Sequence, residues 1–353
     1  MVRRTSTGIW VLALSVLVAG LLAAEGCDDE SGGGGNDGGP DEGCATDTAG
    51  DGATKSYILN AVAIGDENVG FDLDDVNTPS GCSDDFCRSG PDDGTGGVDN
   101  RLGPILESIS DASPQFDVAG FLNKALTAGK MLLLLRLRDV DDWRNDGCVH
   151  ADFYVGHDTN DPPAIVEGRT YQVDSASLEP PGTDIDSPAI AFENGSIDGG
   201  TFRGGPDDFS MTIPIEDLGT SLTFAVSEAQ IQWSASESAI SNGTLGGYIP
   251  IFNLLATMRL IPEAANVLVV VTTVMENQAD VDSIPGGTEI PGTQCTAENI
   301  ETYDAAGNGC GSASYTCSPS GRCVEPDDHF DAVSLGITIA GIPAEIGDIW
   351  TAP

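Results

Sequence analysis

Residues 131–155 read MLLLLRLRDVDDWRNDGCVHADFYV, and their pattern decides the fold class. Met131, Leu133, Leu135 and Leu137 recur at every second position, so in an extended chain they share one face. Arg136 and Arg138 fall on the other face, where the strand leaves the core. Residues 139–147 turn the chain. Val149, Ala151, Phe153 and Val155 then alternate with polar residues, which predicts an antiparallel hairpin.

Working outward, the same period-two pattern recurs. Residues 57–64 (YILNAVAI) predict a first strand, and residues 170–178, 189–193, 196–203, 209–215 and 222–233 predict a run of further ones. Asn194-Gly195 and Asn242-Gly243 read as turns between them, making the central half a β-meander. Residues 102–110 and 116–128 predict two short helices, the second capped by Asp117 and stopped by Gly129. Residues 249–260 and 262–275 predict a helical hairpin under the sheet, with a β-branched strand over 267–274 as the alternative. Residues 284–328 are poor in large apolar side chains and hold four cysteines, the mark of a disulfide-clipped excursion. Residues 333–346 return to strand pattern, with Leu335, Ile337 and Ile339 on one face. The expected fold class is α+β: a mainly antiparallel sheet or meander, a few packed helices and the C-terminal excursion. Residues 55–353 form one body.

The N-terminus carries an export signal. Arg3 and Arg4 precede an apolar run from Ile9 to Ala24, and acidic residues follow at once from Asp28. That run is shorter than the roughly 20 residues a spanning helix needs, so residues 1–26 read as a cleaved signal. Residues 27–54 are Gly, Asp, Ser, Asn and Thr with almost nothing apolar, a flexible tether ahead of the body.

Charge excludes some functions. Asp and Glu number 56 against 14 Lys and Arg, for a net charge of -42. Such a chain repels nucleic acid, whose binding requires cations on phosphates, and it has no basic patch for anionic lipid heads. It can attract cations. Nine cysteines are present; setting aside Cys27, an even set of eight remains: Cys44, Cys82, Cys87, Cys148, Cys295, Cys310, Cys317 and Cys323. In an exported chain such a set predicts disulfides whose connectivity stays open. Cys44 can clip the tether to the body, Cys82 and Cys87 can close a small loop, and the last four can form a local pair of bridges.

The leading chemical candidate is the acidic region 71–100. Phe71-Asp-Leu-Asp-Asp75, Asp92-Asp93-Gly94 and Val98-Asp99-Asn100 offer closely spaced oxygen ligands of the kind calcium takes. No complete EF-hand is present. Cys148-x-His150 with His157 is the other cluster considered; on a strand His157 falls on the opposite face, so a disulfide and two ordinary histidines outweigh zinc. Asp152, Asp158 and Asp161 are weaker oxygen donors nearby. No catalytic residue is assigned, because the nucleophile-elbow, metalloprotease, P-loop and dinucleotide motifs are missing.

Ala24-Glu25-Gly26-Cys27 resembles a bacterial lipobox, with Glu25 departing from the usual small apolar residue. Together with the tether, GFDLDD at residues 70–75, DDGTGGVDNRLGPI at 92–105, NGTLGGYIP at 242–250 and SLGITIAGIP at 334–343, it resembles a family of uncharacterised exported bacterial lipoproteins. The resemblance implies a lipid on Cys27 and a place in the cell envelope, at the outer membrane or cell surface. The acidic segment resembles an interrupted calcium loop of the thrombospondin type 3 kind, which implies Asp72, Asp74, Asp93, Asp99 and Asn100 as calcium ligands. The expected role is non-enzymatic binding or structure, with a protein or glycan partner; the alternatives are an anchored hydrolase and an accessory subunit of an envelope assembly.

Overall fold

A computed structural model describes residues 44, 52–73, 93–112, 117–215, 220–253, 279–280, 288–290, 294–296, 309–310, 315–324 and 332–351. Its strands are β1 (Ala53–Ile64), β2 (Leu133–Val140), β3 (Asp146–His157), β4 (Thr170–Asp174), β5 (Ile190–Asp198), β6 (Thr201–Ile215), β7 (Thr220–Ser234), β8 (Ile240–Pro250), β9 (Thr316–Cys317), β10 (Cys323–Val324), β11 (Ala332–Pro343) and β12 (Glu345–Trp350). Two α-helices of ten or more described residues, α1 (Leu102–Ala112) and α2 (Val118–Thr127), lie between β1 and β2.

The predicted meander is closed. Around the wall the order is β3-β2-β1-β11-β8-β7-β6-β5, and β5 pairs back to β3, so eight strands form a barrel. Each of the eight pairings is antiparallel. Chain-order neighbours are wall neighbours, and β11 meets β1 with Ile337 opposite Ile64 and Pro343 opposite Tyr57. This is an up-and-down barrel, which leaves none of these strands with a free edge along the ring.

The architecture is therefore mainly β, a correction to the α+β expectation. The proposed helical hairpin is corrected at its start: Ile249 and Pro250 complete β8, and helix is described only over residues 251–253. Residues 254–278, with the rest of that hairpin, lie outside the described residues. Apolar spacing over 249–260 fits a helix, but Ile249 pairs with Val333 on β11, and long-range pairing overrides local period.

The two Asn-Gly turns are also reassigned. Strand β5 runs straight through Asn194-Gly195, and the chain reverses instead at Gly199-Gly200, whose φ angles of 58° and 82° suit a tight hairpin. Gly195 is required by close approach: a Cβ there would meet Phe202 Cζ at 2.5 Å. Asn242 (φ 51°) sits in β8, where the register with β11 shifts. Both sites are bulges, which bend strands so that a sheet can close.

An eight-stranded barrel is just wide enough for side chains to fill. All eight wall strands contribute to one buried cluster, including Tyr57, Leu135, Leu137, Val149, Phe192, Phe202, Trp233, Ile249 and Leu335. Leu102, Ile105 and Ile109 of α1 and Val118, Leu122, Ala125 and Leu126 of α2 join it. Helix α2 packs against β1 and β6, which stand four steps apart in the ring, so it lies across the barrel. Its N-terminus is held by Asp117, whose carboxylate accepts from Gly120 N at 2.8 Å, as the sequence predicts.

A second core covers part of the outer wall. Strand β4 pairs with Gly156 and His157 at the end of β3, and β12 adds to β4 in parallel. Tyr171, Val173 and Leu178 thereby pack with Ile58, Leu132, Leu134 and Tyr154, the outward partners of the inward Tyr57 and Leu135. The excursion carries the short β9–β10 ladder and the bridges Cys295–Cys317 and Cys310–Cys323. Among the described residues only Val155 and Val166 are exposed large hydrophobics.

Candidate functional site

The acidic halves that sequence reading singled out do meet. Phe71 and Asp99 form an antiparallel bridge, Asp99 N donates to Phe71 O at 2.8 Å, and Leu73 N donates to Asp99 Oδ2 at 2.7 Å. A tight turn closed by Gly94 N on Val98 O at 2.8 Å brings Thr95 onto Asn68, whose Oδ1 accepts from Thr95 N and Oγ1 at 3.0 and 2.8 Å. Loop 65–73 is tied to the wall by Gly65 N on Gly336 O at 2.8 Å.

Asn100 is the centre of this arrangement. It is 2% exposed. Its Nδ2 donates to Asp66 O at 2.7 Å and Val69 O at 2.8 Å, with Gly336 O at 3.4 Å. The amide nitrogen thus occupies a point where carbonyl oxygens from loop and wall converge. Among the described residues, Asn100 Oδ1 is the one buried side-chain oxygen with no hydrogen-bond partner. Such an oxygen costs about 1–3 kcal/mol when left unsatisfied, and a hard cation satisfies it.

Of the other predicted ligands, Asp72 is exposed, Asp93 is half-buried and Asp99 is buried. Asp74, Cys82 and Cys87 lie outside the described residues, as does Cys27. Among the described residues the carboxylates of Asp72, Asp93 and Asp99 do not converge as a three-ligand group.

Sequence reasoning missed a neighbouring group. Asp280 is 8% exposed; its Oδ1 accepts from Ser334 N at 2.9 Å and its Oδ2 is hydrogen-bonded by Ser334 Oγ. Burial pushes its carboxyl up to about 6, against the pull of those two hydrogen bonds. Ser334 Oγ also accepts from Arg101 N at 2.9 Å, so the loop that ends in Asn100 and the segment at Asp280 share one anchor on β11. One aspartate among 56 acidic residues carries no local signal of burial.

The second candidate region is a polar row on the outside of β3. Val149 and Ala151 point into the barrel core, so Cys148, His150, Asp152 and Tyr154 alternate outward. Cys148 is bridged to Cys44, which realises the expected clip between residues 27–54 and the body. Asp152 is fully buried and accepts from Arg136 Nε at 2.9 Å, Arg138 Nε at 2.7 Å and Arg138 Nη2 at 3.0 Å. Arg136 therefore does not leave the core as expected; it is covered by the outer layer, where Nη2 donates to Ile185 O at 3.0 Å. The cross-strand register Arg136 opposite Asp152 was the available signal.

Asp158 and His157, two of the remaining candidate donors, are engaged elsewhere. Burial pushes Asp158 up, but hydrogen bonds from Asn160, Ala164 and Arg169 together outweigh it and hold its carboxyl at about 2. The Arg169 Nη1 contact is 2.6 Å. His157 is stacked on Trp350 with ring centroids 4.2 Å apart. His150 Nε2 lies 3.9 Å from Cys148 Sγ and 3.7 Å from Asp139 Oδ2, and its Nδ1 is buried without a partner.

These features define a closed, side-chain-filled meander barrel with disulfide-bonded attachments and an acidic loop pair beside β11. No family model, curated protein or solved structure matches the chain.

Proposed function

We propose that this chain is an exported envelope lipoprotein, anchored through Cys27, whose barrel serves a non-enzymatic structural or binding role. The observation that carries the reading is the set of three disulfides, Cys44–Cys148, Cys295–Cys317 and Cys310–Cys323. Disulfides of this kind persist in oxidising compartments, in accord with the signal-like N-terminus. Several acyl chains on one cysteine anchor stably, since each buried methylene contributes about 0.8 kcal/mol. Cys27→Ser is expected to move the protein from the membrane pellet to the soluble fraction and to abolish incorporation of a labelled fatty acid. Unchanged membrane association with no label in the wild type would overturn the anchor.

Calcium belongs to the same reading as a stabiliser of the acidic loop pair. Its support is the unpartnered Asn100 Oδ1 within a segment carrying Asp72, Asp93 and Asp99. Binding to the folded state alone contributes about 2.7 kcal/mol at a ligand concentration 100 times Kd, enough to raise a melting curve measurably. After chelation, calcium but not magnesium is expected to raise Tm saturably, and Asp72→Ala to remove most of that gain. A wild-type Tm that ignores calcium sinks this part and leaves the anchor reading standing.

A further inference from the structure

We propose that the Cys44–Cys148 bridge is an exchange site for an external dithiol, with His150 as the acid that serves the leaving sulfur. The three bridges differ in their surroundings. Cys310–Cys323 is buried at both sulfurs and Cys295–Cys317 pairs a buried with a half-buried cysteine, like the bridge at the wall, but no imidazole stands among the described groups that surround either. At the barrel wall Cys44 is half-buried and Cys148 is 2% exposed, so an incoming nucleophile meets Cys44 first. Both sulfurs have partners waiting for the reduced state. His150 Nε2 lies 3.9 Å from Cys148 Sγ, and Cys44 Sγ lies 3.5 Å from Glu193 O, an acceptor for a freed thiol. Asp139 Oδ2 lies 3.7 Å from the same imidazole nitrogen.

The step balances as follows. A thiolate of the dithiol attacks Cys44 Sγ and forms a mixed disulfide. The Cys44–Cys148 S–S bond breaks, its electron pair stays on Cys148 Sγ, and that sulfur takes the Nε2 proton of His150. The second thiol of the reductant then attacks its own sulfur in the mixed disulfide and releases Cys44, which is protonated and donates to Glu193 O. The dithiol leaves as a disulfide, two electrons have passed to the bridge, and its two released protons account for the new thiol and the reloaded imidazole. Stabilising the leaving sulfur accelerates exchange, because a better leaving thiol departs faster.

The test uses the full chain with graded dithiothreitol, acid quenching, alkylation and peptide mass analysis. Cys44 and Cys148 are expected to be labelled well before Cys295, Cys310, Cys317 and Cys323. His150→Gln is expected to slow opening of this bridge about a hundredfold, the low end of what a positioned acid contributes, while the other bridges open at their wild-type rates. Because the wild-type labelling order needs no variant, the proposal stays exposed even if His150→Gln destabilises the barrel. Labelling of all three bridges together in the wild type, or an unchanged rate in a folded His150→Gln protein, overturns it.

Discussion

Asp152→Ala is expected to cost about 3–5 kcal/mol of stability, because it strands a buried guanidinium. The Asp152 carboxylate is 0% exposed and Arg136 is 9% exposed, with Arg136 Nη2 2.8 Å from Asp152 Oδ2. Tyr154 OH and Arg136 Nη2 both donate to Ile185 O, so this cluster also pins the segment that lies over the outer wall. Arg136 has a second acid, Asp186, at 2.7 Å, but that carboxylate is 69% exposed. Solvent screens such a partner, so Asp186→Ala is expected to cost less than about 1 kcal/mol. Desolvation decides between the two: only Asp152 shares the dry site with the charge it balances. Urea unfolding of both variants checks this, read as a shift in midpoint at constant slope. Equal costs for the two substitutions would show that Asp152 is not the partner that holds Arg136.

Trp233→Ala is expected to lose about 3–5 kcal/mol, the usual cost of emptying a large aromatic from a core. Trp233 is 1% exposed and stacks on Phe202 with centroids 4.3 Å apart and planes 18° from parallel. Both rings belong to the cluster that fills the barrel, so the surrounding wall, closed by hydrogen bonds on every side, cannot collapse into the gap. Trp233 Nε1 is buried without a partner. Trp233→Phe removes an unsatisfied donor while keeping a ring and leaves a smaller gap, so its loss is expected to be well below that of Trp233→Ala. Guanidinium unfolding separates the two variants. A loss under about 1 kcal/mol for Trp233→Ala would mean that the interior is not a packed core but a chamber with room to spare. That result would redirect the search for function to the inside of the barrel.

Much of the strand layout was legible because side-chain alternation is local. Leu135 and Leu137 face inward, Arg136 faces outward, and Val149 and Ala151 alternate with Cys148 and His150, as residues 131–155 predict. The helix cap at Asp117 and the clip at Cys44 were legible for the same reason, one from spacing and one from a cysteine out of place. The meeting of Asp72 and Asp99 segments followed from residue type, but the locking of the Asn100 amide onto carbonyls of Asp66 and Val69 did not. An amide's partners are backbone atoms that every residue carries, so composition cannot announce them.

By itself, then, the sequence determined most of the wall strands, the net charge of -42 and the even set of eight cysteines beyond Cys27. Only the tertiary structure decided that the meander closes, that Asn194-Gly195 and Asn242-Gly243 are bulges and not turns, and that Arg136 is buried. The reason is range. Strand propensity and face depend on neighbours two residues away, whereas closure depends on Ile64 finding Ile337 and burial of Arg136 depends on a layer built from β4 and β12. Those pairings are set by the cooperative packing of the whole barrel, and no short window of sequence contains them.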